Sequence, residues 1–291
     1  MRIGIVILPQ RPWHEQRELW RRAEDYGFDH AFTYDHLSWR SLAGQSWGAT
    51  VPTLAGAALV TERIRLGTFV ASPNFRHPVP FAKDLATIDE MSGGRFTLGL
   101  GAGTTGFDAD VLGTAPLTAG DRHARFMEFV DVLDLLLRFE QPGTDGIDFD
   151  GQWYTAARAR MVGRPAQSPR MPFVIAANGP RGIARAVQTG QGWVTTGPAT
   201  DDEREWWSGV GALARRVDDA EAAASRTRPL DRYLSLDSGA AYSLASAVRF
   251  EDAVARAEDL GFTDVIAHWP RADGIYAGDE SVLDQIAPAS R

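Results

Sequence analysis

The segment from residue 63 to residue 103 reads as a buried strand, an amphipathic helix and a second buried strand. Its strand-like parts, residues 66–71 and 96–100, are short apolar runs without the strict alternation of a sheet that has one wet face. Parallel strands that are covered by helices on both faces have this pattern. Because each run ends in polar and glycine-rich residues, the segment predicts a binding site at the carboxyl ends of its strands.

The same alternation of strand-like and helix-like segments continues along the whole chain, which indicates parallel strands joined by crossover helices. Gly27 and Gly261 follow two of the helix-like segments, where glycine forms a left-handed helix cap without steric cost. The pattern predicts an α/β fold, a (β/α)8 (TIM) barrel, formed by residues 1–291 as one domain. The predicted strands are residues 3–8, 30–34, 66–71, 96–100, 173–177, 193–196, 233–239 and 265–269.

Residues 141–172 break this alternation with turn residues and an Asp-Gly pair. We therefore expect a hairpin or an irregular insertion before the fifth strand. Helices are predicted at residues 14–26, 47–61, 80–91, 122–138, 181–189, 202–225 and 250–260.

Composition limits the possible partners and chemistry. The 291 residues contain no cysteine, so redox chemistry would need a bound cofactor rather than thiols. A net charge of -8 argues against a nucleic-acid partner, which binds a basic surface. No apolar run approaches the roughly 20 residues of a membrane span, and no secretory signal opens the chain. We expect a cytoplasmic protein that does not enter a membrane.

Gly101, Gly103 and Gly106 spell G-x-G-x-x-G directly after a predicted strand. A dinucleotide-binding fingerprint of this kind should open a helix at once, whereas the next helix-like segment begins near Asp121. We interpret the glycines as a tight turn whose backbone lets a flat ring approach closely.

Four segments together resemble one known family. They are TYDH at 33–36, RLGTFVASPNFRHP at 65–78, DEMSGGRFTLGLGAG at 89–103 and FVIAANGP at 173–180. Their order and spacing are similar to those of the luciferase-like monooxygenase superfamily, in particular the branch that uses the deazaflavin coenzyme F420. The resemblance implies a barrel with the cofactor ring in its mouth, a small-molecule substrate, and a homodimer that buries helices two and three.

The resemblance also implies roles for individual residues around the ring. Asp35 and His36 match a catalytic pair in which the histidine transfers a proton or positions the substrate, and histidine is suited to this by its near-neutral titration. Phe69 and Val70 match a non-proline cis peptide behind the ring. Gly101, Gly103 and Thr104 would form a wall of the cofactor site. Thr104 stands where related sugar-phosphate dehydrogenases have a glutamate acid, which argues against glucose-6-phosphate as the substrate.

A second set of residues matches the part of the family site that receives the cofactor's phosphate. Asn178, Gly179 and Arg181 belong to it, together with Thr196 and Gly197. Backbone N–H groups at a helix start favour an anion, which makes this role physically reasonable. Arg181 and its neighbour Arg185 are candidates to pair with the acidic tail of F420. The remaining mouth residues are expected to contact the substrate: Trp39, Trp47, Arg76, Thr105 and Trp269.

Three other functions stay open from the sequence. The same fold could bind FMN and act as a monooxygenase. His36, His77 and His268 all lie near predicted strand ends, which would suit a metal-dependent hydrolase, although no H-x-H pair is present. A flavin-binding relative without activity is suggested by the missing acid at Thr104.

Overall fold

The computed structural model describes residues 1–138, 145–163, 165–239 and 241–287. Within these ranges the chain forms ten strands: β1 (Arg2–Val6), β2 (His30–Thr33), β3 (Arg65–Ala71), β4 (Phe96–Leu100), β5 (Ile147–Asp150), β6 (Thr155–Ala159), β7 (Phe173–Ala176), β8 (Gly192–Thr195), β9 (Asp231–Ser235) and β10 (Asp264–His268).

Eight of these strands close a parallel barrel in the order β1-β10-β9-β8-β7-β4-β3-β2. The predicted barrel and all eight predicted strands are therefore confirmed, with ends that differ by a few residues. The largest difference follows β9, where residues 236–238 form a 3-10 turn instead of extending the strand. The pairing of β3 with β4 shifts register between Thr68 and Ala71, which makes the chain bulge at Phe69 and Val70.

The helices that cover the barrel are α1 (Trp13–Asp25), α2 (Thr50–Val60), α3 (Pro78–Met91), α4 (Ala119–Leu137), α5 (Pro180–Thr189), α6 (Glu203–Ala223), α7 (Ala247–Asp259) and α8 (Ser281–Ile286). All seven predicted helices are present, and the six-residue α8 is additional. None of the helices in the described ranges is long and apolar enough to cross a bilayer.

Side chains at the helix starts explain where the predicted bounds were wrong. His77 accepts a hydrogen bond from the Val79 N–H at 3.3 Å, so α3 begins two residues earlier than expected. Ser246 caps α7 in the same way through the Arg249 N–H at 3.2 Å. The predicted left-handed caps are confirmed, since Gly27 and Gly261 both have φ of 80°.

The insertion before β7 contains an antiparallel hairpin, β5–β6, as the sequence predicted. Its turn is attached to α4 by the Glu128 carboxylate, which accepts the backbone N–H groups of Gln152, Trp153 and Tyr154 at 3.0, 2.9 and 2.7 Å. The hairpin therefore packs beside the barrel on the α4 side. Residues 141–144 and 164 of the predicted insertion lie outside the described residues.

The amino ends of three barrel strands meet at a buried carboxylate. Asp264, the first residue of β10, is fully buried and accepts hydrogen bonds from Arg2 at 2.7 and 2.6 Å and from His30 at 2.8 Å. Burial opposes ionisation, but the hydrogen bonds from Arg2 and His30 lower the pKa of Asp264 below its ordinary value. This cluster stabilises the end of the barrel opposite the predicted site.

Candidate active site

A cavity of about 290 Å³ opens at the carboxyl ends of the barrel strands, where the sequence predicted the site. Five strands contribute to it, namely β2, β3, β7, β8 and β9, through their last residues or the loops that follow. Its lining is apolar on one side and polar on the other: Tyr34, Phe69, Val70, Ala176, Ala177, Asn178, Val194, Thr196, Ser235 and Ser238. Such a mixed pocket at this face of a barrel is typical of an active site.

The apolar side of the cavity is the bulge of β3. The peptide bond between Phe69 and Val70 is cis, as the sequence resemblance implied. β4 packs tightly behind the bulge, because a Cβ on Gly101 would lie 2.8 Å from a methyl group of Val70. Only glycine at position 101 allows this approach.

The turn after β4 is held by Asn74. Asn74 donates to the Thr104 carbonyl at 3.2 Å and accepts from Arg125 at 2.7 Å. Gly103 has φ of 76°, and a Cβ there would lie 2.6 Å from the Asn74 side chain. Gly101, Gly103 and Thr104 therefore stand behind Val70 and Asn74 and do not line the cavity itself.

His36 lies beside the cavity-lining residue Tyr34, with the two rings edge to face and their centroids 5.8 Å apart, and is not itself among the lining residues. Its imidazole is 25% exposed, and Nδ1 is hydrogen-bonded to the carboxylate of Asp108. The second oxygen of Asp108 accepts the backbone N–H groups of Leu37 and Ser38 at 2.8 and 3.3 Å. The histidine predicted to be catalytic is thus held by a buried aspartate.

Asp108 reaches His36 because of the shape of its own loop. Gly106 and Phe107 both have positive φ, at 79° and 46°, and the next residues form a short 3-10 turn. This conformation turns Asp108 inward, where it is 2% exposed. The only sequence signal was a single carboxylate two residues after a glycine, which is too weak to predict a contact across 72 residues.

Asp35, the other residue of the predicted pair, does not line the cavity. Both of its oxygens accept hydrogen bonds from Arg76, at 2.6 and 3.1 Å, and the residue is fully buried. The Arg76 guanidinium also lies over the rings of Phe75 and Phe81, 4.8 and 4.7 Å from their centroids. The predicted catalytic Asp35 and the predicted substrate residue Arg76 therefore neutralise each other in a bidentate ion pair.

The polar side of the cavity combines the loop after β7 with the loop after β8. Asn178 donates to the Gly197 carbonyl at 2.8 Å and accepts from the Thr195 hydroxyl at 2.6 Å. Gly179 is the N-cap of α5, where no side chain caps the first backbone N–H groups. These N–H groups and the helix dipole form a suitable position for an anion beside Asn178 and Thr196.

The two arginines of α5 have different surroundings. Arg185 donates to Asp131 on α4 at 2.6 Å, so its charge is already paired, contrary to the suggested contact with a cofactor tail. Arg181 is exposed on the first turn of α5. Burial and the charges of Arg181 and Arg185 lower the pKa of His123 on the neighbouring α4. Arg181 remains the better candidate for contact with an anionic ligand.

The tryptophans predicted to contact substrate have three different surroundings. Trp39 is buried against Tyr34, with ring centroids 5.2 Å apart. Trp47 donates its indole N–H to the His36 carbonyl at 2.8 Å and lies in the loop before α2, which begins at Thr50 rather than at residue 47 as predicted. Trp269 is 4% exposed and packs against Tyr26, which directly follows α1, outside the cavity. Thr105 is exposed in the turn after β4, away from the cavity lining.

The histidines that suggested a metal-dependent hydrolase are engaged separately. His77 caps α3, and His36 is bound to Asp108. His268 is buried between Asp237 at 2.9 Å and the Tyr34 hydroxyl at 2.7 Å. Burial, reinforced by the nearby Tyr276 and Asp237, raises the pKa of Tyr34 well above its ordinary value, so its hydroxyl stays protonated. Over the described part of the chain, no group of three or more candidate ligand side chains is placed to hold a metal ion.

Comparisons with known proteins agree with this geometry. A profile of the luciferase-like monooxygenase family matches residues 1–249. The chain is 36% identical over 176 residues to an F420-dependent glucose-6-phosphate dehydrogenase of Beutenbergia cavernae, which is 60% of this chain and 50% of that protein. It thus spans about half the length of such dehydrogenase relatives.

A second relative matches more of the chain. It is a 4-hydroxyprotoasukamycin monooxygenase of Streptomyces nodosus subsp. asukaensis, 30% identical over 285 residues that cover 94% of this chain and 70% of that protein. Among solved structures, an F420-dependent secondary alcohol dehydrogenase in complex with an F420-acetone adduct superposes with a TM-score of 0.78 at 16% identity, covering 98% of this chain and 96% of that chain. At this identity the structural likeness shows the shared barrel fold.

Proposed function

Because the chain belongs to the luciferase-like monooxygenase family, we propose that it is an F420-dependent oxidoreductase that transfers a hydride to or from a small organic substrate. The observation that carries this proposal is the cavity of about 290 Å³ at the barrel mouth, which has an apolar wall and whose lining residue Asn178 directly precedes the uncapped start of α5. Relatives named as F420-dependent support the choice of cofactor.

The residues around the cavity fit a flat ring that carries a phosphate-bearing chain. Phe69, Val70 and Tyr34 offer apolar surface to a ring, and the approach of β4 at Gly101 supports that surface from behind. On the polar side, a Cβ built on Gly179 would meet nothing within 4 Å, so there is open space in front of the α5 N-terminus. A phosphate would be bound there by backbone N–H groups.

The cofactor would be held by the apolar surface of β3, by Asn178 and Thr196, and by the first turn of α5 with Arg181. When bound, the deazaflavin supplies or accepts the hydride. The protein's part is to orient the substrate and to hold a proton at the imidazole of His36. The resemblance puts threonine at position 104 where related sugar-phosphate dehydrogenases have a glutamate acid, which argues against glucose-6-phosphate as the substrate. We favour a small alcohol or carbonyl compound.

Hydride transfer can be tested directly. The chain is mixed with oxidised F420 and a panel of primary and secondary alcohols, and with reduced F420 and the matching carbonyl compounds, while cofactor fluorescence is followed. Turnover of at least one compound, lost in the His36→Ala variant, is the expected result. Absence of turnover in either direction, with F420 shown to be bound, would contradict the proposed activity.

A flavin-dependent monooxygenase is the second candidate, because the relative that covers 94% of this chain carries a monooxygenase name. FMN has a phosphate but no acidic tail, so it would not need Arg181. Replacing Arg181 by glutamine, which removes the tail contact without placing a negative charge beside the phosphate position, separates the two candidates. F420 affinity is expected to fall about tenfold or more in this variant, because the contact with the acidic tail is lost. FMN has no such tail, so its affinity should stay nearly unchanged.

We also infer that the chain acts as a homodimer through α2. This helix reads TVPTLAGAALV, without one charged residue, and Leu59 on its outer face is 73% exposed. A surface helix of a barrel normally carries polar residues on its outer side. Light scattering should give twice the mass of the chain, and Leu59→Glu should shift the protein toward monomer. A monomer at all concentrations would exclude this arrangement.

A further inference from the structure

The loop after β4 carries a carboxylate whose function the proposed reaction does not yet use. Asp108 is buried; one of its oxygens accepts the backbone N–H groups of Leu37 and Ser38, and the other lies within hydrogen-bond distance of Nδ1 of His36. A carboxylate oxygen accepts hydrogen bonds. The second oxygen of Asp108 is therefore a fixed acceptor beside Nδ1 of His36.

A fixed acceptor at Nδ1 determines which ring nitrogen carries the proton. Neutral imidazole has one N–H, and the hydrogen bond to Asp108 requires it at Nδ1. Nε2 then has a free lone pair. The backbone around the ring is also fixed, because Trp47 donates to the His36 carbonyl at 2.8 Å and Asp108 binds the next two N–H groups. The position and the tautomer of His36 are thus set by contacts with Trp47, in the loop after β2, and with Asp108, in the loop after β4.

We propose that Asp108 is a positioning residue that makes Nε2 of His36 the proton-exchanging atom of the site, in place of the acid missing at Thr104. This inference rests on the proposed hydride transfer. When a substrate alcohol is oxidised, its O–H bond breaks and the proton forms a new bond at Nε2. The electron pair of the adjacent C–H bond leaves as hydride to the oxidised cofactor, and a C=O bond forms. In the reverse direction the imidazolium returns the proton to the oxygen.

Asparagine at position 108 would reverse the tautomer of His36. Its carbonyl oxygen can still accept from Leu37 and Ser38, which leaves its N–H₂ group facing Nδ1 of His36. Nδ1 must then become the acceptor, and the ring proton moves to Nε2, where it blocks acceptance of a substrate proton. The same inversion in a Ser-His-Asp triad lowers kcat by about 10⁴ while the geometry is kept.

The test combines a spectroscopic and a kinetic measurement. In the chain without cofactor, ¹⁵N NMR of labelled histidine, assigned with His36→Ala, should show the Nδ1–H tautomer for His36 and the Nε2–H tautomer in Asp108→Asn. In the loaded enzyme, D108N should lower kcat by a factor on the order of 10² to 10⁴ with KM changed less than about threefold. Asp108→Glu should recover part of kcat, because a carboxylate is restored.

The control is Asp110→Asn, which alters an exposed carboxylate two residues along the same loop. It should leave tautomer and kcat unchanged. An Nε2–H tautomer of His36 in the unaltered chain would overturn the inference, and so would equal losses of kcat in D108N and D110N. Failure of the proposed function gives a different result, since neither the unaltered chain nor any variant would then turn over a substrate, while the NMR experiment would still report on Asp108.

Discussion

The ion pair between Asp35 and Arg76 provides a strict test of how the site is built. Asp35 is fully buried and Arg76 has 18% of its side chain exposed. Removing one partner of a buried pair leaves an uncompensated charge, which typically costs about 3–5 kcal/mol of folding free energy. Because Arg76 retains some contact with water, we expect the lower end for Asp35→Asn, about 3 kcal/mol.

The double variant determines whether this cost comes from the pair. Arg76→Met keeps much of the side-chain volume over Phe75 and Phe81, and alone it should cost about 3–5 kcal/mol, since it leaves the carboxylate unpaired. D35N/R76M removes both charges and should be more stable than the sum of the single changes predicts, by about 2 kcal/mol or more.

The assay is urea unfolding of the four proteins, followed by tryptophan fluorescence and circular dichroism and analysed by linear extrapolation. If both single variants lose less than about 1 kcal/mol and their effects add within about 0.5 kcal/mol, the pair is not structural. Asp35 would then be available for a role in catalysis, as the sequence suggested.

Three further predictions concern the barrel base, the cavity and the hairpin. Asp264→Asn should lower the free energy of unfolding by about 3–5 kcal/mol at pH 7. The control is Asp231→Asn, because Asp231 also pairs with Arg2 but is partly exposed, and this change should lower it by less than about 1 kcal/mol. The folded-state pKa of Asp264 is lowered, so the stability that it contributes is present above the unfolded pKa of about 3.9 and is lost as pH falls through the folded value. The stability difference between D264N and the unaltered chain should therefore begin to shrink near pH 4 and continue to shrink at lower pH. Ala176→Phe should occupy the cavity and weaken F420 binding at least about tenfold with little change in melting temperature; unchanged affinity would place the cofactor elsewhere. Glu128→Ala should cost about 2 kcal/mol and speed proteolysis within the hairpin, because three backbone N–H groups lose a charged acceptor; an unchanged cleavage rate would show that the hairpin is held by other contacts.

The barrel could be predicted from the sequence because its determinants are local. Short apolar runs mark buried parallel strands, and glycines at helix ends mark the caps. The bulge at Phe69 and Val70 and the pairing of the loops at Asn178 and Gly197 followed from the resemblance, since those motifs occur at matching positions.

The side-chain partners at the mouth could not be predicted, because they join residues that are distant in sequence. Arg76 reaches Asp35 across 41 positions, and Asp108 reaches His36 across 72. Both contacts depend on loop conformations, such as the positive φ of Phe107, that no residue pattern encodes. Trp269 was assigned to the mouth because it ends the predicted eighth strand, but it packs against Tyr26, directly after α1.

The most direct test of the central claim is titration of the chain with F420 and, separately, with FMN, followed by quenching of tryptophan and cofactor fluorescence. Saturable F420 binding with a dissociation constant in the micromolar range, at least about tenfold tighter than FMN binding, is the predicted result. Tight binding of FMN with no binding of F420 would contradict it.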